Sequence, residues 1–272
     1  TTNITTNTRR SGINNDLNNN RISNTNSHPL QQQWEIPLHQ VKFGKIYGDN
    51  GIIFTQKASF LGTKCIIKGF RFLNANIDII NELIHDIILG NAIDHPSIAQ
   101  FLGIFSVNNI IYSVSQRYKY NTLYHILNNH SNNSLLKNMK KKQSYIFPLT
   151  ISSQIAEAIR YLHSFDQIHG YLSSNIIQLT EHYQVKVCDI GLNKVKHYAS
   201  VSVFQRFSNY YTAPELLNNN TMRMCNKKSD VYSFGIICYE LLLMKLIYTK
   251  DTNEKRIDMN QIMTQDEIDI IY

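Results

Sequence analysis

Apolar residues in the first half of the chain occur in short runs that are typical of β-strands. β-Branched and aromatic residues are concentrated in four runs, at residues 41–43, 52–55, 64–68 and 110–114. Runs of this length predict the strands of one sheet. Between them, residues 78–89 place six apolar side chains on one helical stripe, and Pro96 follows soon afterwards. We therefore expect an N-terminal sheet accompanied by one helix.

After Asn121 the apolar positions recur mainly with helical spacing. The predicted elements are helices at residues 122–127, about 149–163 and 231–248, and short strands at 176–179 and 185–188. Residues 193–212 show neither periodicity, and we expect them to be irregular. The apolar stretch after Asp230 is interrupted by Glu240 and Lys245, and it is shorter than the about 20 apolar residues of a membrane span. It predicts a buried helix.

Composition divides the chain into three regions. Residues 1–33 are rich in Asn, Thr, Ser and Gln and cannot bury enough apolar surface to fold, so they predict a disordered tail. Residues 34–116 form the predicted sheet lobe and residues 117–272 the helical lobe, with a polar insert at 128–144. Because the chain starts with Thr1, we expect it to be a fragment or a processed product.

The cysteine content favours a reducing compartment, while the charge is only weak evidence for the kind of partner. The net charge is +7, and several lysines cluster within the polar insert, without the aromatic residues that accompany a nucleic-acid site. The four cysteines are scattered, which supports neither a zinc site nor a disulfide framework. The first residues lack the apolar core of a signal peptide. We expect a cytoplasmic or nuclear protein that binds neither nucleic acid nor membranes.

Six short motifs follow one another between Trp34 and Tyr248. They are Trp34-Glu35-Ile36, Gly62-Thr63-Lys64-Cys65-Ile66-Ile67-Lys68, His95-Pro96-Ser97-Ile98 with Phe101-Leu102-Gly103, Asp189-Ile190-Gly191-Leu192, Ala213-Pro214-Glu215, and Ser229-Asp230-Val231-Tyr232-Ser233-Phe234-Gly235. Their order and spacing resemble the protein kinase superfamily, and most closely its tyrosine-kinase-like group. The resemblance implies an α+β bilobal fold, with an antiparallel N-lobe sheet plus one helix and a mainly helical C-lobe that appears truncated.

The resemblance also implies a nucleotide site. Lys68 matches the lysine that grips the α- and β-phosphates, with Asp86 or Glu82 as its helix acid partner. Asp189 and Asn175 match the ligands of Mg²⁺. The other matching nucleotide-binding positions are Ile46, Gly48, Gly51, Ile53, Ile66, Ser115 and Gln116.

Two of these positions depart from the kinase pattern. Ile46 stands where the first glycine of the phosphate loop is expected, and Ile66 replaces a small residue of the adenine pocket. A β-branched side chain hinders the close approach of backbone N–H groups to phosphates. The binding of ATP and Mg²⁺ therefore stays open.

The catalytic loop departs further. Tyr171 stands at the position of the catalytic aspartate, and Gly170 stands where the family usually has arginine. A neutral phenol with a pKa near 10 is a poor acceptor of a substrate proton, and losing a positioned base costs about 10²–10⁴-fold in rate. No catalytic residue is therefore predicted.

Two hypotheses follow from these residues. The first is an inactive kinase-like domain, a pseudokinase, that acts by binding a protein such as an active kinase or a signalling protein, with or without bound ATP. The alternative is a weak or atypical ATP-dependent serine/threonine kinase that relies on Lys68, Asn175 and Asp189 without a base. That alternative is conceivable because positioning carries much of the catalysis of phosphoryl transfer.

Overall fold

The computed structural model describes most of the two predicted lobes. The described residues are 33–49, 51–71, 77–107, 110–118, 122–128, 146–198, 210–216 and 225–246. Almost all of the predicted tail and of the polar insert lies outside these ranges, as do residues 247–272. The predicted domain boundaries and the truncation of the helical lobe therefore stay predictions.

The first lobe contains one five-stranded antiparallel sheet. Its strands are β1 Val41–Asp49, β2 Ile53–Phe60, β3 Thr63–Arg71, β4 Phe101–Val107 and β5 Ile110–Gln116, in the order β1-β2-β3-β5-β4. A single turn of 3-10 helix, Leu38–Gln40, precedes β1. Strand β4 was not predicted as a strand, because Gly103 breaks its pattern. In the structure Gly103 has a φ of 147° and follows a register shift against β5.

One helix, α1 Ile77–Asn91, packs against this sheet. Its buried side chains Leu83, Ile84 and Ile87 form a cluster with Phe70 of β3 and Ile111 of β5. Each of these α1 residues is at most 2% exposed. Burying one such side chain contributes about 1.5–3 kcal/mol, so the predicted helical stripe is what fixes α1 to the sheet.

The second lobe is mainly helical, as predicted. It contains α2 Leu123–Asn128, the long helix α3 Ile146–Ser164, and a hairpin of the short strands β6 Ile177–Leu179 and β7 Val185–Val187. Its core gathers apolar side chains from all of these elements. The described helices include none that is long and apolar enough to cross a membrane.

Two predicted segments differ from the structure. Residues 193–198, expected to be irregular, form a short helix, α4 Asn193–Tyr198, whose side chain Val195 is fully buried against α1. The α1 residues that pack against Val195 are far away in the sequence, so local periodicity could not reveal this helix. The last described helix, α5 Lys227–Leu243, begins four residues earlier than expected, because Asn226 and Ser229 form a reciprocal capping box.

Candidate nucleotide site and catalytic loop

One buried carboxylate holds the loop that follows α3. Asp230, which is fully buried in α5, accepts hydrogen bonds from the backbone N–H groups of His169 (2.9 Å) and Gly170 (2.8 Å). The Nε2 atom of His163 lies 2.8 Å from the same carboxylate. The loop is therefore anchored to the first turn of α5.

The imidazole of His169 orients the next residue of the loop. Its Nε2 atom lies 2.9 Å from the carbonyl oxygen of Cys188, and its Nδ1 atom accepts a hydrogen bond from the backbone N–H of Tyr171 (3.2 Å). A carbonyl can only accept, so Nε2 carries the proton and Nδ1 is free to accept. His169 is 1% exposed, and this arrangement fixes the backbone at Tyr171.

Tyr171 supplies no proton acceptor to this loop. Burial, with a smaller effect of Cys225, raises the pKa of Tyr171 to about 12. The phenol is therefore neutral at physiological pH and does not act as a base. Asp166 lies in the turn leading to the loop, is largely exposed, and pairs with Lys227 at 2.5 Å.

Gly170 cannot be replaced easily by the arginine of the kinase pattern. Its φ is 75°, in the left-handed region that favours glycine. A Cβ atom at this position would lie 2.6 Å from Oδ1 and 2.9 Å from Nδ2 of Asn193. The side chain of Asn193 thus occupies the space into which an arginine would begin to grow.

Lys68 on β3 is paired with Asp189, the residue that follows β7 by two positions. The ammonium donates to Oδ2 of Asp189, whose side chain is 5% exposed. The sequence predicted a different partner for Lys68, either Asp86 or Glu82 of α1. Both acids instead face Lys194 of α4, with Nζ 2.8 Å from Asp86 Oδ2 and 3.8 Å from Glu82 Oε1. The expected pair is thus absent because α4 supplies a competing ammonium.

A cavity opens beside this ion pair. Among the residues lining it are Lys68, Asn91, Phe101, Ser115, Asp189 and Leu192. Three of the residues identified from the sequence, Lys68, Ser115 and Asp189, therefore come together here. Ile53 is not among the lining residues; it is 8% exposed and packs in the cluster between the sheet and α1.

At the turn between β1 and β2, where a kinase binds phosphates, Asp49 at the end of β1 is held by Arg71 of β3. Asp49 accepts a hydrogen bond from the backbone N–H of Gly51 (2.9 Å) and pairs with Arg71 through both carboxylate oxygens, at 2.8 and 2.9 Å. The Arg71 guanidinium, followed by the Gly51 bond, lowers the pKa of Asp49 to about 2. Asp49 therefore uses the N–H group of Gly51 that would otherwise be offered to a phosphate.

The other predicted nucleotide residues occupy the expected strands without lining the cavity. Ile46 and Gly48 lie on β1 opposite Gln56 and Thr55, on either side of a register shift. Ile66 on β3 lies opposite Ser115 on β5. The backbone N–H of Gln116 donates to the carbonyl of Gln100 at 2.9 Å. Asn175 is half-buried and lies two residues before β6.

The predicted Mg²⁺ ligands have the right chemistry, since carboxylate and amide oxygens suit this ion. In the described part of the chain no three His, Cys, Asp or Glu side chains are grouped to hold a metal. Of Asp189 and Asn175, the carboxylate of Asp189 is the stronger ligand for Mg²⁺. A cation bound there would share the carboxylate of Asp189 with the ammonium of Lys68.

Tyr47 of β1 was not identified from the sequence; it does not line the cavity, but it lies near Asp189. It lies at the register shift of β1, and the ammonium of Lys57 is 5.7 Å from its ring centre. Partial burial, and then the carboxylate of Asp189, raise the pKa of Tyr47 to about 12. Arg71 and Lys194 were also missed by the sequence analysis, because their charged partners are remote in sequence.

Comparison with known proteins agrees with this geometry. The family of protein tyrosine and serine/threonine kinases matches residues 33–267, which is most of the chain. The chain belongs to this protein kinase family. The α+β bilobal fold predicted from the sequence is thereby confirmed.

The relatives of this kinase domain include several serine/threonine kinases. One is a probable LIM domain-containing serine/threonine-protein kinase of Dictyostelium discoideum, 28% identical over 79% of this chain. Two serine/threonine-protein kinases of Arabidopsis thaliana are each 24% identical, over 80% and 78% of this chain. The matched regions span 31%, 36% and 25% of these three proteins, so the chain covers less than half the length of each.

Proposed function

We infer that this kinase-family domain is a pseudokinase, which transfers no phosphate and acts by binding another protein. The observation that carries the inference is Tyr171. A phenol held neutral by burial stands at the position of the catalytic base, and the neighbouring Asp166 is engaged by Lys227 at the surface. Loss of a positioned base alone costs about 10²–10⁴-fold in rate, and the phosphate loop adds a second defect.

The phosphate loop supports the same inference. Asp49 forms a bidentate ion pair with Arg71 of β3 and also accepts a hydrogen bond from the backbone N–H of Gly51, so this N–H group is already used. A nucleotide would have to bind beside a carboxylate instead of a free row of N–H groups. We therefore expect Mg²⁺-ATP to bind weakly, with Lys68 and Asp189 as the residues that would hold it.

The second candidate is a weak ATP-dependent serine/threonine kinase. It is favoured by the pairing of Lys68 with Asp189 at the edge of a cavity that Ser115 also lines. When bound, Mg²⁺ would supply charge neutralisation to the phosphates. The domain itself would supply only orientation, since Tyr171 moves no proton at neutral pH.

The partner in this proposal is a protein, such as an active kinase or another signalling protein, in the cytoplasm or the nucleus. A folded domain without catalysis still presents a stable surface, and buried polar groups such as Asp230 keep its loop ordered. Neither a nucleic acid nor a membrane is part of the proposal.

A transfer assay with labelled ATP, Mg²⁺ or Mn²⁺ and a generic protein substrate tests the inference. We expect the domain and its Lys68→Ala variant to give the same background signal. Turnover that Lys68→Ala abolishes would instead support the weak kinase. Tyr171→Asp serves as the second variant: a gain of transfer would show that the missing base was the main defect. Thermal unfolding with and without Mg²⁺-ATP reports separately on nucleotide binding, since ligand at 100 times its Kd adds about 2.7 kcal/mol.

A further inference from the structure

The first three strands of the sheet carry a surplus of positive charge. Residues 41–71 contain six lysine and arginine residues but only one acidic residue, Asp49. Two of the six cations are neutralised, because Arg71 pairs with Asp49 and Lys68 pairs with Asp189. The described part of the chain offers no carboxylate within ion-pair distance of the other four. Their charges are therefore open to a partner.

Three of these four lysines share one face of the sheet. Lys42 of β1 lies opposite Ser59 of β2, and Ser59 lies opposite Lys64 of β3. Residues directly opposite each other point to the same face, so the two lysines flank Ser59 in one row, about 10 Å apart. Lys57 precedes Ser59 by two positions and therefore lies on the same face, diagonal to both lysines at about 7–8 Å. All three lysines are exposed.

Arg117 extends this row beyond the third strand. It directly follows β5, and its backbone N–H donates to the carbonyl oxygen of Lys64 at 3.1 Å. Tyr47 indicates the side of the sheet on which the charge of Arg117 lies. The ammonium of Lys57 is 5.7 Å from the Tyr47 ring centre, and Arg117 opposes the rise of the Tyr47 pKa that burial and Asp189 cause. We call the following four residues the basic face: Lys42, Lys57, Lys64 and Arg117.

The spacing of the basic face suits an extended acidic peptide. Alternate side chains of an extended strand point to one side and repeat about every 6.6–7 Å, which is close to the separation of Lys57 from Lys42 and from Lys64. Carboxylates at alternate positions of such a peptide would therefore meet successive lysines. Leu61, which is 72% exposed in the turn between β2 and β3, adds an apolar contact at one end of the face.

A single-stranded nucleic acid fits the basic face less well. Its binding relies on a series of aromatic side chains on which successive bases stack. Lys57 already covers one side of the Tyr47 ring. Phe43, next to Lys42 in β1, lies on the opposite face of the sheet, where it contacts Phe105. Strand β1 therefore offers no row of rings along the basic face.

We propose that the basic face is a docking surface for an extended acidic segment of the partner protein, which crosses β1, β2 and β3 and places carboxylates at alternate positions. The docking surface deepens the proposed function and rests on it for the presence of a protein partner. It needs neither nucleotide nor catalysis.

Fluorescence anisotropy of a short labelled peptide of alternating Glu and Ser residues tests the docking surface, without nucleotide and at about 50 mM salt. An ion pair between exposed side chains changes affinity by about 1.5- to five-fold. The double variant Lys42→Met/Lys57→Met should therefore bind about two- to 25-fold more weakly than the parent chain. Lys228→Met/Lys245→Met removes the same charge from exposed positions of the helical lobe, and this control should bind like the parent. Raising the salt to about 200 mM should weaken binding of the parent through screening.

Equal weakening in both double variants would overturn the docking surface, and so would the absence of binding by the parent chain at the lower salt concentration. A single-stranded oligonucleotide, or vesicles of anionic lipid, that binds more tightly than the peptide and is lost in Lys42→Met/Lys57→Met would overturn the protein partner. Thermal unfolding of each variant checks that the fold is kept. Because the assay contains no nucleotide, its failure would remove the acidic partner, whereas the transfer assay alone decides the absence of catalysis.

Discussion

Replacing Gly170 by alanine probes the catalytic loop where it departs most from an active kinase. The residue has a φ of 75°, and left-handed backbone costs a residue with a Cβ atom about 1–2 kcal/mol. The new Cβ would also lie 2.6 Å from Oδ1 of Asn193. We expect Gly170→Ala to lower the free energy of unfolding by about 1–3 kcal/mol, of which the clash with Asn193 contributes only part.

Urea unfolding followed by circular dichroism measures this loss of stability. A double-mutant cycle separates the contribution of the clash with Asn193 from that of the backbone strain. Adding Asn193→Ala should relieve the clash and restore that part of the lost stability, whereas the loss from backbone strain should remain. Gly235→Ala is the matched control, because it lies within α5 and its new Cβ would meet nothing within 4 Å. Alanine is the better helix former by about 0.5–1 kcal/mol, so this control should be neutral or stabilising. A Gly170→Ala variant as stable as the Gly235→Ala control would refute the described loop geometry.

Three further predictions concern other polar contacts. Asp230→Ala leaves two loop N–H groups without their acceptor, at about 1–3 kcal/mol each, so urea unfolding should show a loss of about 2–6 kcal/mol; less than about 1 kcal/mol would contradict the anchoring role. Tyr211→Phe removes a hydroxyl that donates to the buried carboxylate of Glu240 at 2.9 Å. In the same assay this should lower the free energy of unfolding by about 1.5–3 kcal/mol, and an unchanged stability would contradict the hydrogen bond. Arg71→Met should return the pKa of Asp49 from about 2 towards its ordinary value of about 3.9, as measured by NMR titration of the carboxyl carbon.

The sign of the last effect follows from the direction of the shift. Because the pKa of Asp49 is lowered in the folded protein, its ion pair stabilises the fold above about pH 4 and loses that contribution as the pH falls towards 2. The Arg71→Met variant should lack this pH-dependent contribution of the ion pair to the stability of the fold. An unchanged Asp49 titration would mean that the guanidinium is not the cause.

The fold was largely predictable because its signals are local and repeated. The apolar stripe of residues 78–89 predicted α1, and four β-branched runs predicted four of the five strands of the sheet. Strand β4 escaped because Gly103 interrupts its pattern. Helix α4 escaped because its stability comes from packing against α1, which no local window contains.

The site was predictable only where single positions match the kinase pattern. Lys68, Ser115 and Asp189 were named from the sequence and meet at one cavity. Pairings were not predictable, since they depend on which charges the fold brings together. Lys194 takes the acids expected for Lys68, and Arg71 reaches back 22 positions to Asp49.

A single-turnover measurement tests the absence of catalysis most directly. The chain is held in excess over trace labelled ATP with Mg²⁺, and transfer to substrate and to the chain itself is followed for hours beside the Lys68→Ala and Asp189→Ala variants. The account predicts one common background rate for all three proteins. A faster rate in the parent chain that both variants lose would contradict it, and would assign this domain to the active kinases of its family.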